Sequence, residues 1–184
     1  MEVLLVYESV SGLTHRVAEA VADGVRSASS SAHVTVAGVG DVTADQVAAA
    51  DLLVVGGPTH MRGMSTERTR HMGVEGEQKS AAAHGDEPRV EPGAEGPGLR
   101  DWFDALPRQQ RRTPAAAFDT SAGFWLAGGA RHGISRRLRR HGYEVVAEEA
   151  FEVEGDPIQL KPGQLDRARD WGAALQRRLE AAST

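Results

Sequence analysis

Apolar residues in this chain come in short unbroken runs, separated by stretches in which they recur every three or four positions. The run 3–7, "VLLVY", has no polar interruption, which is how a strand covered on both faces reads. From Leu13 onward, Leu13, Val17, Val21 and Val25 repeat at intervals of four, and Ala20 and Gly24 broaden the same stripe. One face of a helix therefore packs on the sheet that holds the first strand. "AHVTVAG" over 32–38 is a second strand, and Thr43 followed by Gln46 is a capping box that opens a short helix reaching about Ala50. Leu52 to Val55 repeats the first theme, with its loop expected from Gly56. Leu99, Trp102, Phe103 and Leu106 then mark a helix stopped by Pro107. "PAAAF" (114–118) has weak strand propensity, but its place between two helical patterns predicts a central strand of small residues. Ala127, Ala130, Ile134 and Leu138 mark the next helix, and "YEVVA" (143–147), continued by "FEVEG", a fifth strand. Pro162 stands at a helix start, and Leu165, Ala168, Gly172, Leu175 and Leu179 line the last helix.

Strands alternating with helices through right-handed crossovers predict an α/β fold: a five-stranded parallel sheet, doubly wound, with helices on both faces. The 184 residues fit one domain over 1–184. In such sheets ligands bind beyond the carboxyl ends of the strands, where the strand order reverses, so the informative loops are 8–14, 56–64 and 119–129. The segment 65–98 breaks the pattern. It is rich in Gly, Pro, His and charge, has no apolar period, and is expected to be a long mobile loop.

Composition narrows the chemistry. The net charge is -5, so the chain lacks the basic footprint of a nucleic-acid binder, and nucleic acid is not expected as a partner. With no cysteine, disulfides, thiolate metal sites and a cysteine nucleophile are excluded, and any redox chemistry must come from a cofactor. No basic leader precedes the first strand, and no run approaches the roughly 18 apolar residues of a membrane span, which predicts no membrane insertion and a cytoplasmic protein.

The first loop, "YESVSGLT", places Ser9, Ser11, Gly12 and Thr14 at a helix N-terminus, whose unpaired N–H groups and positive dipole end favour an anion. It contains neither GxxxxGK[ST] nor GxGxxG, so a nucleoside triphosphate and a Rossmann dinucleotide are both disfavoured. A phosphate held by neutral donors fits, and so does a helix cap with no ligand. "SVSGLT" resembles the flavodoxin phosphate loop, S/T-x-S/T-G-x-T, and occupies the same place between first strand and first helix. "GGPTHMRGMS" resembles the flavodoxin stretch G-x-P-T-W-x-x-G that follows the third strand, and "FDT" with its Gly-rich continuation looks like flavodoxin-domain proteins of actinobacteria. The resemblance implies a flavodoxin-like three-layer fold with strand order 2-1-3-4-5 and noncovalent FMN. It assigns Ser9, Val10, Ser11, Gly12, Leu13 and Thr14 to the phosphate. Pro58, Thr59, His60, Met61 and Gly63, together with Asp119, Thr120, Phe124 and Trp125, fall on the loops that flank the flavin ring. Two positions depart from the family. Leu13 replaces a frequent Asn, and His60 replaces the Trp that stacks on the ring, which puts in its place a group able to titrate near neutral pH.

The resemblance implies an electron-transfer protein, acting as monomer or homodimer with a redox partner protein or a small-molecule quinone. An FMN-dependent NAD(P)H:quinone reductase and a binding or regulatory module that keeps the fold without FMN are the alternatives. Arg131, Arg136, Arg137, Arg139 and Arg140 crowd one helix, either as a solvated face or as a patch for a nucleotide phosphate or an acidic partner. His60, His71 and His84 match no metal-ligand spacing, and Asp119 with Ser121 lacks the G-x-S-x-G elbow of a hydrolase. No catalytic or metal residue is assigned.

Overall fold

The computed structural model describes residues 1–60, 63–109, 111–122 and 128–182. Five long strands, β1 (Glu2–Tyr7), β2 (His33–Gly38), β3 (Leu52–His60), β5 (Pro114–Ser121) and β6 (Glu144–Glu154), run parallel in the order β2-β1-β3-β5-β6. This is the 2-1-3-4-5 order expected from sequence. Two additional strands of two residues each were not expected. β4 (Gly63–Met64) folds back antiparallel on the end of β3, and β7 (Gln159–Leu160) does the same on β6. Two residues are too few to show an alternation, so neither hairpin leaves a mark in the pattern.

The unbroken apolar runs serve two cores. Leu4, Val6, Leu53, Val55, Ala115 and Ala117 point to one face of the sheet. There they meet Leu99 and Phe103 of α4 (Leu99–Ala105) and Ile134 and Leu138 of α5 (Ala130–Arg140). Val3, Leu5, Leu52, Val54, Ala116 and Phe118 point to the other face, against α1 (Leu13–Ala28) and α6 (Gln164–Ala182). α2 (Ala44–Ala49) opens at Thr43 with the capping box predicted from Gln46. The alanine-rich β5 is buried on both sides of the sheet, and small residues let it pack where bulkier ones would not fit.

Two expectations are corrected. β3 does not end at Val55 but continues to His60, because Gly56 pairs with Tyr7 and the stretch Gly56 to Pro58 pairs with Phe118, Asp119 and Thr120. Gly-Gly-Pro reads as a loop by composition but is held extended by β5 along its length and by β1 at Gly56. The segment 65–98 is not structureless, since 18 of its residues form α3 (Glu67–His84). α3 shows no apolar stripe and buries only Arg70, Val74 and Ala81, so periodicity could not reveal it. Its ends carry it instead. Thr66 and Thr69 form a reciprocal cap at the start, and Gly85 adopts φ 74° at the stop.

Candidate functional site

β1, β3 and β5 release the chain side by side at their carboxyl ends, where the order reverses between β1 and β3. Tyr7 leads into the first loop, and Glu8 N–H donates to Gly56 C=O at 3.0 Å, fixing that loop beside β3. Gly12, at φ 80°, turns the chain into α1 without any side-chain cap. The first intrahelical bond runs from Arg16 N–H to Gly12 C=O at 3.0 Å, which leaves the amides of Leu13 and Thr14 without a helical acceptor. Ser9 is buried and its Oγ has no hydrogen-bond partner. Thr14 is also buried, and its hydroxyl pairs with that of Thr120 at 2.8 Å.

The second and third loops are tied to each other. Thr59 Oγ1 donates to Asp119 Oδ2 at 3.0 Å and accepts from Ala130 N–H at 2.9 Å. Asp119, fully buried, also accepts from Arg131 N–H at 3.0 Å and from the Arg131 guanidinium at 3.2 Å. These two side chains therefore seat the start of α5 on the ends of β3 and β5. Met61, Phe124 and Trp125, assigned to the flavin ring by resemblance, lie outside the described residues. His60 lies at the β3–β4 hairpin against Gly73 of α3, and its Nε2 is buried without a partner. Burial pushes the imidazole below its ordinary value of 6.5; Glu8 works against this shift and Arg70 with it. This corrects the expectation of a group titrating near neutrality, because the buried ring stays neutral there.

The fold can be placed among solved structures. An archaeal flavodoxin is 20% identical, with a TM-score of 0.61 over 98% of this chain and 99% of that one. A WrbA-like flavodoxin from Agrobacterium tumefaciens is 22% identical, with a TM-score of 0.57 over 98% of both chains. Oxidised flavodoxin 2 from Bacillus cereus is 15% identical, with a TM-score of 0.62 over 97% of this chain and 99% of that one. The fold is that of the flavodoxins. No protein-family model matches the sequence, and no curated protein matches it either; at these identities the likeness is one of fold.

In this flavodoxin-like frame, α3 and the segment after it roof the first loop, a feature composition did not signal. Val10, Val74 and Ala94 form a small apolar cluster there. Glu91 N–H donates to Val10 C=O at 2.8 Å, and its carboxylate meets His15 Nδ1 at 2.9 Å. Glu91 Oε1 lies 3.1 Å from where a Cβ on Gly12 would stand, so a carboxylate sits over the start of α1. His15 in turn stacks on Tyr7 with ring centroids 4.4 Å apart. Burial, followed by the charges of Glu91, Glu19 and Asp41, pushes the Tyr7 phenol up to about 12. Beneath the roof, Glu8 accepts from Ser65 Oγ and from Leu99 N–H, the latter at 2.8 Å. Arg70, itself buried, reaches Asp101 at 3.5 Å while its Nε stays unpartnered. Glu8, Ser65, Arg70 and Glu91 were all missed by sequence reasoning. Glu8 adjoined one recognised motif and Ser65 closed the other, whereas Arg70 and Glu91 lie in the segment without a pattern.

The residues present can be tested against FMN. The unpaired Ser9 hydroxyl and the Leu13 and Thr14 amides are donors without acceptors at one end of α1, which suits a phosphate. Thr14, Thr59, Asp119 and Thr120 already have partners, so their side chains hold the loops together rather than offering free donors. A cleft of about 290 Å³ runs between Ser9, Gly38, Asp41, Arg70 and Glu91 beside the loop. The donor set fits a phosphate, provided that the Glu91 carboxylate yields its place.

Proposed function

We propose that this chain is a flavodoxin-like FMN protein that carries electrons between a redox partner or quinone and the flavin. The observation that supports it most is the buried, unpartnered Ser9 hydroxyl beside the open amides of α1, at the switch point of a flavodoxin fold. Ser9, Ser11, Gly12 and the amides of Leu13 and Thr14 would hold the phosphate, and the ends of β3 and β5 would border the ring. Bound FMN supplies reversible one- or two-electron transfer, a chemistry no side chain of this cysteine-free chain offers. The protein's part is to exclude water from the phosphate, through the roof of Val10, Val74 and Ala94, and to hold the loops in register through Thr14–Thr120 and Thr59–Asp119. His60 enters as a neutral imidazole, so its electrostatic effect at neutral pH is that of a dipole rather than a charge.

A second reading, a module that keeps the fold without FMN, draws support from Glu91, whose carboxylate would repel a phosphate over Gly12. Titrating the purified protein with FMN decides between them. Quenching of flavin fluorescence to saturation with one equivalent, together with perturbed visible flavin bands, is the outcome expected of the first reading. FMN fluorescence that stays unquenched at millimolar protein would leave the second.

A further inference from the structure

We infer that the groove along α5, which meets the loops assigned to the flavin ring at His60 and Gly63, is a binding site for a phosphate-bearing small molecule of nucleotide size. The groove has a volume of about 640 Å³, within the roughly 300–1,000 Å³ of small-molecule sites. Among the described residues its charged and titratable lining is His60, Arg100, His132, Arg136, Arg137 and Arg140, without one carboxylate, in a chain whose net charge is -5. α5 itself carries five arginines and no Asp or Glu. Its 11 residues give a wall about 16 Å long at 1.5 Å per residue, the reach of an extended nucleoside diphosphate.

The arginines are not equivalent, and the difference argues for a built site. Arg100, half-buried in the opposite wall, spends Nε on Ser65 C=O at 2.7 Å and one terminal nitrogen on Met64 C=O at 3.0 Å. Both acceptors are neutral, so its guanidinium is held in place with its charge uncompensated. Arg137 is held by Asp104 at 2.6 Å. Arg136 and Arg140 have no ion-pair partner among the described residues, and the positions outside them include no Asp or Glu that could supply one. One fixed and two free guanidinium groups facing a single concavity suit an anion with several oxygens, since the guanidinium fork pairs with phosphate in a bidentate way. The concavity favours a small molecule over an acidic protein. A protein surface would reach the exposed Arg136 and Arg140 but not Arg100, set back in the wall.

Arg139 provides an internal control. It lies on the same helix and pairs with Glu148 at 3.3 Å, but it does not line the groove. Arg136→Gln and Arg139→Gln thus change the net charge equally and differ in access to the site; Arg139→Gln also releases Glu148, which keeps His132 as a partner at 2.8 Å. The experiment is calorimetric titration of the full chain with ADP, and with inorganic pyrophosphate, at low and moderate salt. ADP should bind the native protein, Arg136→Gln should weaken it roughly tenfold or more, and Arg139→Gln by less than about twofold. Amide shifts caused by ADP should gather on Gly129 to Arg140. The inference is overturned if ADP does not bind, or if both variants lose affinity equally, which would mean diffuse charge attraction. Shifts centred on Ser9 to Thr14, or tighter binding of a polyglutamate peptide than of ADP, would also overturn it.

Discussion

Ser9 and His60 both carry a buried polar atom without a partner, and the two make opposite predictions about stability. An unmet buried hydroxyl costs about 1–3 kcal/mol, so Ser9→Ala should leave thermal stability equal to or above the native value. If Ser9 serves the FMN phosphate, the same change should weaken FMN by about 1.5–3 kcal/mol, the worth of a hydrogen bond to a charged group. Melting curves with flavin titrations check both halves, and a fall in stability with unaltered FMN affinity would count against the assignment. For His60, burial lowers the folded pKa, so the unfolded chain binds the proton more readily. The stability it permits is complete above the unfolded value of 6.5 and is lost as pH falls through that value toward the lower folded one. Comparing the native protein with His60→Gln by urea denaturation from about pH 8 to about pH 5 should show the native advantage shrinking as pH drops. A constant difference would mean that the imidazole is not buried as described.

At the scale of elements, the part of the candidate site nearest the motifs was legible and the part that covers it was not. Ser9 to Thr14 announce themselves because hydroxyls and a glycine follow an apolar strand directly, and their placement at the head of α1 follows from local chemistry. α3 is invisible to periodicity because its caps, not an apolar face, define it, and the 86–98 stretch is placed by contacts to loops far away in sequence. Glu91 is the consequence that matters most. Its carboxylate stands over Gly12 and is 20% exposed, so it opposes any anion arriving at the start of α1. Glu91→Gln keeps the shape and the backbone bond to Val10 while removing the charge. It is expected to raise FMN affinity roughly tenfold, or about 1.4 kcal/mol. Equal affinity in both proteins would show that the segment leaves the loop on binding, whereas weaker binding would make Glu91 a supporting contact instead.

At the scale of the whole molecule, the five parallel strands were readable because runs buried on two faces differ so clearly from striped helices, and Leu4 and Val6 do point to one core while Val3 and Leu5 point to the other. What the pattern could not convey is how closely the layers approach. α1 and α6 pack side by side over the second core, and at their crossing a Cβ on Gly24 would lie 2.0 Å from Arg169 C=O, while one on Gly172 would lie 2.1 Å from Val21 C=O. Both obstacles are backbone, so neither can rotate aside. Gly to Ala in a helix interior ordinarily gains about 0.5–1 kcal/mol in propensity. At Gly24 that gain should be outweighed by overpacking of about 1–3 kcal/mol, because α6 must move off the sheet to admit a methyl group. Gly76, in α3, has nothing within 4 Å of the same position, and there the propensity gain should stand alone. The same substitution is therefore expected to lower the melting temperature at Gly24 and not at Gly76, at about 2–4 °C per kcal/mol for a chain of this size. Equal shifts of the same sign would mean that the two helices do not meet at their glycines, and that the second core closes by some other contact.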